Sequence, residues 1–412
     1  MANPKLRFKA DDGTDFPEWR QYKLGNLGSF KKGKGLSKDQ LSEEGNPCIL
    51  YGQLYTNYNE VIKSVVSKTN ASLDNAVLSE GNEVLFPNSD VTPDGIACAS
   101  YLPFANVILG GDISVFKCNE GIRGDVLSYI INSPNGKQQI YRIAQGTTVI
   151  HTSASSLSKI LVNYPSSQEE QRKIADFLST FDLKVEAKEQ QLEALQETKK
   201  GLLQQIFSQQ LRFKAADGTE YPEWDIVSLS RVANSVTAKN KDEAIKNVLT
   251  VSAKHGIVEQ HQFFDKKIAN DKNICKYTVV NNMNFVYNPR ISKLAPAGPI
   301  KMSHVDCGVV SPLYTVFRVK DEAINIRFLD FFFQSNNWIE YLLSIANFGA
   351  RYDRMSFNKE DFYEMPILKP CQEEQRKIAE FLGAFDEKIE AVKRQLEALR
   401  EIKKGLLQQM FV

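Results

Sequence analysis

Gly28, Gly33 and Lys34, within GSFKKGKGLS (residues 28–37), fall at the spacing of a phosphate-cradling loop, G-x-x-x-x-G-K-[ST]. In such a loop the glycines let backbone N–H groups approach a phosphate and the lysine neutralises it. The last position departs from the pattern, because Gly35 stands where a Ser or Thr hydroxyl would hold Mg²⁺. The motif also needs a buried strand before it and a helix after it. The preceding EWRQYKLGNL instead alternates like a half-buried antiparallel strand, and Gly35 sits where the helix should begin. Nucleophilic and metal chemistry are no better supported. His151 lies beside Ser153 and Ser155 without an orienting acid. Cysteines 48, 98, 118, 275, 307 and 371 form no C-x-x-C pair, and histidines 151, 255, 261 and 304 lack zinc-ligand spacing, which implies reduced thiols and no metal.

A different chemistry fits better. Lys31, Lys32, Lys34 and Lys38 precede Tyr51, Gln53, Tyr55, Thr56 and Asn57, so cations run into a mixture of aromatic, amide and hydroxyl groups. Farther along, Lys239, Lys254, His255, Arg290, Lys293, Arg351, Tyr352 and Arg354 make a second such set. Lysines suit phosphates, whereas Arg, Gln and Asn make bidentate contacts to base edges in the major groove. With 51 basic and 50 acidic residues in 412, any DNA binding must rest on these local patches and not on a global charge.

The elements that position these residues come in duplicate. QEEQRKIADFLSTFDLKVEAKEQQLEALQETKKGLLQQIF (168–207) recurs, largely identical, as QEEQRKIAEFLGAFDEKIEAVKRQLEALREIKKGLLQQMF (372–411). LRFKADDGTDFPEW (6–19) recurs at nearly the same offset as LRFKAADGTEYPEW (211–224), where Trp19 and Trp224 should anchor the incoming chain to a helix end. The predicted organisation is a lead-in (1–19), a first body (20–163), a long helix (164–210), a second lead-in (211–224), a second body (225–369) and a second long helix (370–412). The bodies share almost no readable identity, and glycines, prolines and shifting periodicity make each α+β. At the offset of Gly28, Gly33 and Lys34 the second copy has Ala233, Ala238 and Lys239. Only the lysine survives, which speaks for phosphate contact and against a nucleotide cradle.

Ile174, Leu178, Phe181, Val185, Leu192, Leu195, Leu202 and Ile206 step by fours and threes, as do Ile378, Leu382, Phe385, Ile389, Leu396, Leu399, Leu406 and Met410. A 3.5 period sustained this long is a coiled-coil seam, and about 40 residues at ~1.5 Å each span roughly 60 Å. Lys199 and Lys403 also fall on the seam, and the favoured reading is that their stems lie along it while the ammonium groups snorkel to water. Ser167 and Glu170 have the spacing of a capping box. If a two-fold axis relates the copies, the helices pair antiparallel, the termini meet and the chain is almost circular.

The doubled EEQRKIA helix, the stretch GLSKDQLSEEGNPCILYGQLYT and the two dissimilar bodies resemble the specificity subunit of type I restriction-modification systems, over essentially the whole chain. The resemblance implies an α+β fold: two pseudo-two-fold-related α/β target recognition domains separated by two long antiparallel coiled-coil helices. It implies that each body reads one half of an interrupted double-stranded DNA site, and that the helices space the bodies and dock two modification (methyltransferase) subunits. S-adenosylmethionine, ATP and Mg²⁺ are then expected on those subunits and on the restriction subunits, with no cofactor on this chain. NPR at 288–290 falls short of N-P-P-[FY], and FKKGKG is not F-x-G-x-G, so a non-catalytic role is expected. GSFKKGKGLS then reads as a DNA-facing hinge loop. The competing reading is a structural adaptor with two protein-binding heads. The amino terminus lacks a signal-peptide core and no apolar run suits a membrane, so a cytoplasmic location is expected.

Overall fold

The computed structural model describes residues 4–260, 271–348 and 353–411. The chain divides into two compact units, Met1–Glu189 with Arg394–Val412, and Gln190–Lys393. Both divisions fall inside the long helices, so each unit owns one half of each helix.

In the first unit Arg20–Lys23 pairs antiparallel with Leu161–Tyr164, which closes the body at its base. Above it lies an antiparallel sheet of β1 (Gly28–Lys32), β2 (Glu83–Pro87), β3 (Ser100–Leu102) and β4 (Ile113–Cys118), in the order β1-β4-β2-β3. β2 is buried along its whole length, and its side chains alternate between two cores. Val84 and Phe86 join Phe116 against α1 (Gly124–Asn132), while Leu85 joins Val115, Ile49 and Leu109 beneath an outer five-stranded sheet. Pro134 begins α2 (Pro134–Ile143), and the Ser133 hydroxyl caps it by accepting from the Gly136 N–H.

The second unit repeats the base and the inner sheet. Asp225–Ser228 pairs with Pro366–Lys369, and β5 (Ala233–Ser235), β6 (Phe285–Tyr287), β7 (Ile300–Met302) and β8 (Thr315–Val319) take the order β5-β8-β6-β7. One face carries Phe285 and Phe317, stacked at 5.3 Å, against Phe328, Phe332 and Phe333 of α4 (Ile326–Gln334); α5 (Ile339–Ile345) follows. The other face, Val286 and Val316, packs on two hairpin-like pairs, Leu249–Ser252 with Gly256–Glu259 and Thr278–Asn281 with Cys307–Val310. The outer layers are thus where the units part company.

The long helices are α3 (Gln168–Phe207) and α6 (Gln372–Met410), numbered apart from α1, α2, α4 and α5 of the bodies. Every predicted apolar seam residue is at least half-buried. Ile174, Leu178, Ile206, Ile378, Leu382, Ile389, Leu396 and Met410 are fully covered. Within the first unit Glu189 pairs with Arg400 and Asp182 with Lys403, so the register descends on one segment as it rises on the other. Also in that unit, the Lys5 and Leu6 N–H groups both donate to the Gln409 carbonyl, at 2.9 and 3.2 Å, tying the two ends of the chain together.

Two expectations about these helices are corrected. Lys199 and Lys403 do not snorkel, because body helices cover the seam where they stand. The Lys403 ammonium lies 2.8 Å from Glu60, 2.6 Å from Asp182 and over the Tyr129 ring. Burial opposes its charge, but Glu60 and Asp182 outweigh burial and hold Lys403 above the ordinary lysine value. Lys199 meets Asp386 at 2.5 Å and Gln334 at 2.9 Å, over Phe331. The capping box is also only half made. Ser167 accepts from the Glu170 N–H, but the buried Glu170 carboxylate turns away to Arg7 and to the Trp19 indole N–H, each at 2.9 Å. Glu374 does the same with Arg212 and Trp224.

Candidate nucleic-acid interface

GSFKKGKGLS begins as a strand, which corrects its reading as a hinge loop: Gly28–Lys32 is β1, paired with Cys118–Ser114 of β4. Its glycines serve close packing. A Cβ on Gly28 would lie 2.2 Å from the Lys117 carbonyl oxygen, and one on Gly33 would lie 2.0 Å from that of Gly110. No helix follows that could present N–H groups to a nucleotide.

Side chains along this strand divide by face. Lys31 turns inward to Glu83 at 2.9 Å and Glu80 at 3.2 Å; burial disfavours its charge, yet the two carboxylates keep its pKa raised. Its positive charge is therefore locally compensated. Lys32, Lys34 and Lys38 are exposed, with Lys34 only loosely held by Asn75 at 3.5 Å.

The fold brings Lys38, Tyr51, Gln53, Tyr55, Thr56 and Asn57 to one concavity of about 620 Å³. A single helical turn, Gln53–Thr56, builds it. The Gln53 amide is committed to architecture, accepting from the Leu50 N–H at 2.8 Å and donating to Ser67 at 2.6 Å. Tyr51 and Tyr55 stand edge to face, 6.5 Å apart. Burial pushes the Tyr55 phenol up to about 12, assisted by the nearby Asp90 carboxylate, so it stays a hydrogen-bond donor at neutral pH. Aromatic faces beside an exposed lysine, amide and hydroxyl can stack on, donate to and accept from a polar planar surface.

In the second unit the candidates lie on two neighbouring segments. Lys254 and His255 occupy the exposed turn between Leu249–Ser252 and Gly256–Glu259. Arg290 and Arg354 face each other across an antiparallel bridge, with exposed Lys293 just beyond. The segments are joined by Asn288, whose amide donates to the Val251 carbonyl at 3.1 Å while its oxygen accepts from the Arg290 N–H at 3.0 Å. Lys239 stands apart, donating to the Thr278 hydroxyl at 2.8 Å. Arg351 and Tyr352 lie outside the described residues. Among the described residues no group of three or more His, Cys, Asp or Glu side chains is placed to hold a metal, and no helix is long and apolar enough to cross a membrane.

A duplicated mixed α/β scaffold, each copy presenting basic and amide-rich loops, matches a known class. The family described as type I restriction modification DNA specificity domain matches residues 17–197 and again 205–401, and the chain belongs to that family. It is 24% identical over 421 residues to the type I restriction enzyme MjaVIII specificity subunit of Methanocaldococcus jannaschii, covering 97% of this chain and 94% of that one. It is 26% identical over 257 residues to the putative MjaX specificity subunit of the same organism, a match spanning 58% of this chain and 56% of that relative. The fold resembles the crystal structure of the type I restriction-modification S subunit from M. genitalium, with a TM-score of 0.56 at 15% identity and 100% and 99% of the chains covered. A structure described under complex assembly and conformational transition of the type I R-M system gives a TM-score of 0.57 at 16% identity, with 96% and 98% covered.

Proposed function

We propose that each body of this specificity subunit reads one half of an interrupted double-stranded DNA site. The paired long helices, antiparallel along their length, hold the two readers apart and dock two modification subunits, and restriction subunits complete the complex. S-adenosylmethionine, ATP and Mg²⁺ reside on those partners, and this chain contributes recognition without catalysis in the cytoplasm. Lys32, Lys34, Lys38, Tyr51, Tyr55, Thr56 and Asn57 face one half-site; Lys239, Lys254, His255, Arg290, Lys293 and Arg354 face the other.

The observation that carries this reading is the repetition of one inner sheet, in the same strand order, beneath two unlike outer layers. A common frame under unlike surfaces suits one task performed on two different targets. The test exchanges residues 225–369 for the corresponding body of another family member and maps methylation over random DNA with the modification subunits present. One half of the recognised sequence should change, while the other half and the spacing stay. If both halves change, the bodies are not independent readers.

A further inference from the structure

Arg290 and Arg354 occupy a place in the second unit that folding alone does not explain. The Ile291 N–H donates to the Asp353 carbonyl and the Met355 N–H to the Pro289 carbonyl, both at 3.0 Å. Arg290 and Arg354 are therefore the non-hydrogen-bonded pair between those two bonds, the antiparallel position where facing side chains lie closest. Like charges directly opposite each other are destabilising there. One carboxylate, Asp353, approaches the Arg290 guanidinium at 3.6 Å, and no ion pair or hydrogen bond holds the Arg354 side chain among the described residues. Both arginines are exposed.

The backbone beneath them is firmly set. Arg290 follows directly from buried β6, Asn288 clamps its N–H, and Met355 on the facing segment is buried at 3% exposure. Two long cationic side chains thus project side by side from a rigid base.

The first unit has the same bridge with different chemistry. Its strand β2 runs on into Ser89–Asp90, which pairs with Ile150–His151 so that Asp90 faces Ile150. Asn88 and Asn288 stand at matching points, so Asp90 and Ile150 correspond to Arg290 and Arg354. Asp90 is buried and already satisfied by the Thr92 hydroxyl at 2.6 Å. The scaffold therefore does not require cations at this bridge, and their presence in the second unit needs a ligand. An arginine fork matches the O6 and N7 acceptors of guanine. The roots of a facing pair lie about 4.5–5.5 Å apart, compatible with adjacent bases that rise ~3.4 Å per step.

We propose that Arg290 and Arg354 read guanine in the half-site recognised by the second unit. This rests on the DNA-reading role proposed above. The test uses the assembled methyltransferase complex and maps methylation over random DNA for wild type, Arg290→Gln, Arg354→Gln and the double variant. Wild type should require at least one G·C pair in the half-site that the variants alter. Each single variant should lower discrimination for guanine at one position on the order of 10–100-fold, with the other half and the spacing unchanged. Uniform weakening across all sequences, with unaltered preference and a shallower salt dependence, would assign the arginines to phosphates and overturn the proposal. So would an unchanged map, or a half-site that changes without containing guanine. A wild-type map without any interrupted motif would instead overturn the DNA-reading role itself, and the guanine assignment with it.

Discussion

In the first unit Glu170 accepts hydrogen bonds from Arg7 and Trp19; in the second, Glu374 accepts the same set from Arg212 and Trp224. Lys403 clamps Asp182 over Tyr129, and Lys199 clamps Asp386 over Phe331. Beyond the inner sheets the likeness ends. A five-stranded sheet and an aromatic concavity cover one unit, and two separate strand pairs with an arginine bridge cover the other. The difference teaches where each kind of constraint acts. Buried charges tolerate only one geometry, since an unpaired member costs several kcal/mol, whereas an outer layer must satisfy its own small core and is otherwise open to whatever it meets.

The largest effects should therefore be equal in the two units. Glu170→Ala and Glu374→Ala each leave a mostly buried arginine and an indole N–H without their acceptor. Each should cost about 3 kcal/mol in its own unit, at the low end for a broken buried pair because Arg7 and Arg212 retain some water. Hydrogen exchange resolved to each unit, combined with denaturant unfolding, measures it. A large loss for one variant and a negligible one for the other would break the equivalence.

Lysine clamps should separate the units. Lys403→Met strands Glu60 and Asp182, whose side chains are 15% and 11% exposed, so a loss of about 3 kcal/mol is expected. Lys199→Met strands Asp386, which is 40% exposed and can be hydrated, so about 1 kcal/mol is expected. The same two measurements apply. Equal losses would mean that Glu60, which has no counterpart in the second clamp, adds nothing.

Much of this scaffold was legible in the sequence because it is periodic or repeated. The heptad steps from Ile174 to Ile206 and from Ile378 to Met410 predict the covered face of each helix, and the structure leaves none of those residues exposed. The duplicated lead-ins marked Trp19 and Trp224 as anchors, as their burial and bonds to Glu170 and Glu374 confirm. What escaped was long-range pairing. Glu60 lies 343 residues from Lys403, and no local pattern announces that they meet. The carboxylates Glu170 and Glu374 did carry a signal, since both they and Arg7 or Arg212 sit inside the repeated segments, but the helix-start spacing suggested a capping role instead. Among the loops, the sequence assembled Lys38 with Tyr51–Asn57 correctly as neighbours. It missed that Lys31, one strand residue away from Lys32, points to Glu80 and Glu83, because charge alone does not reveal which face of β1 is covered.

The smallest expected effect is a pH-linked one confined to the second unit. Asp321 stands just before α4, accepting from the Ala323 N–H at 2.9 Å and pairing with Lys369 at 2.7 Å. The Lys369 hydrogen bond, followed by that backbone contact, holds the Asp321 carboxyl below the usual aspartate value. In the first unit the matching residue is Asn119, which donates to the Asn26 carbonyl and carries no charge. A depressed carboxylate pKa means that the unfolded chain takes up a proton at higher pH than the folded one. The stabilisation is therefore fully present above about 3.9, the ordinary aspartate value, and is lost as pH falls through the lower folded value. Both partners are about a quarter exposed, so solvent screens the pair and Asp321→Asn should cost only about 0.5–1 kcal/mol at pH 7. The amide oxygen can still accept from Ala323, which leaves the turn intact and isolates the charge. Unfolding of wild type and variant compared from pH 7 downward should show the gap narrowing below pH ~4. A gap that persists unchanged in acid would mean that the Lys369 pair is not its source, and that the units differ at this corner in packing and not in charge.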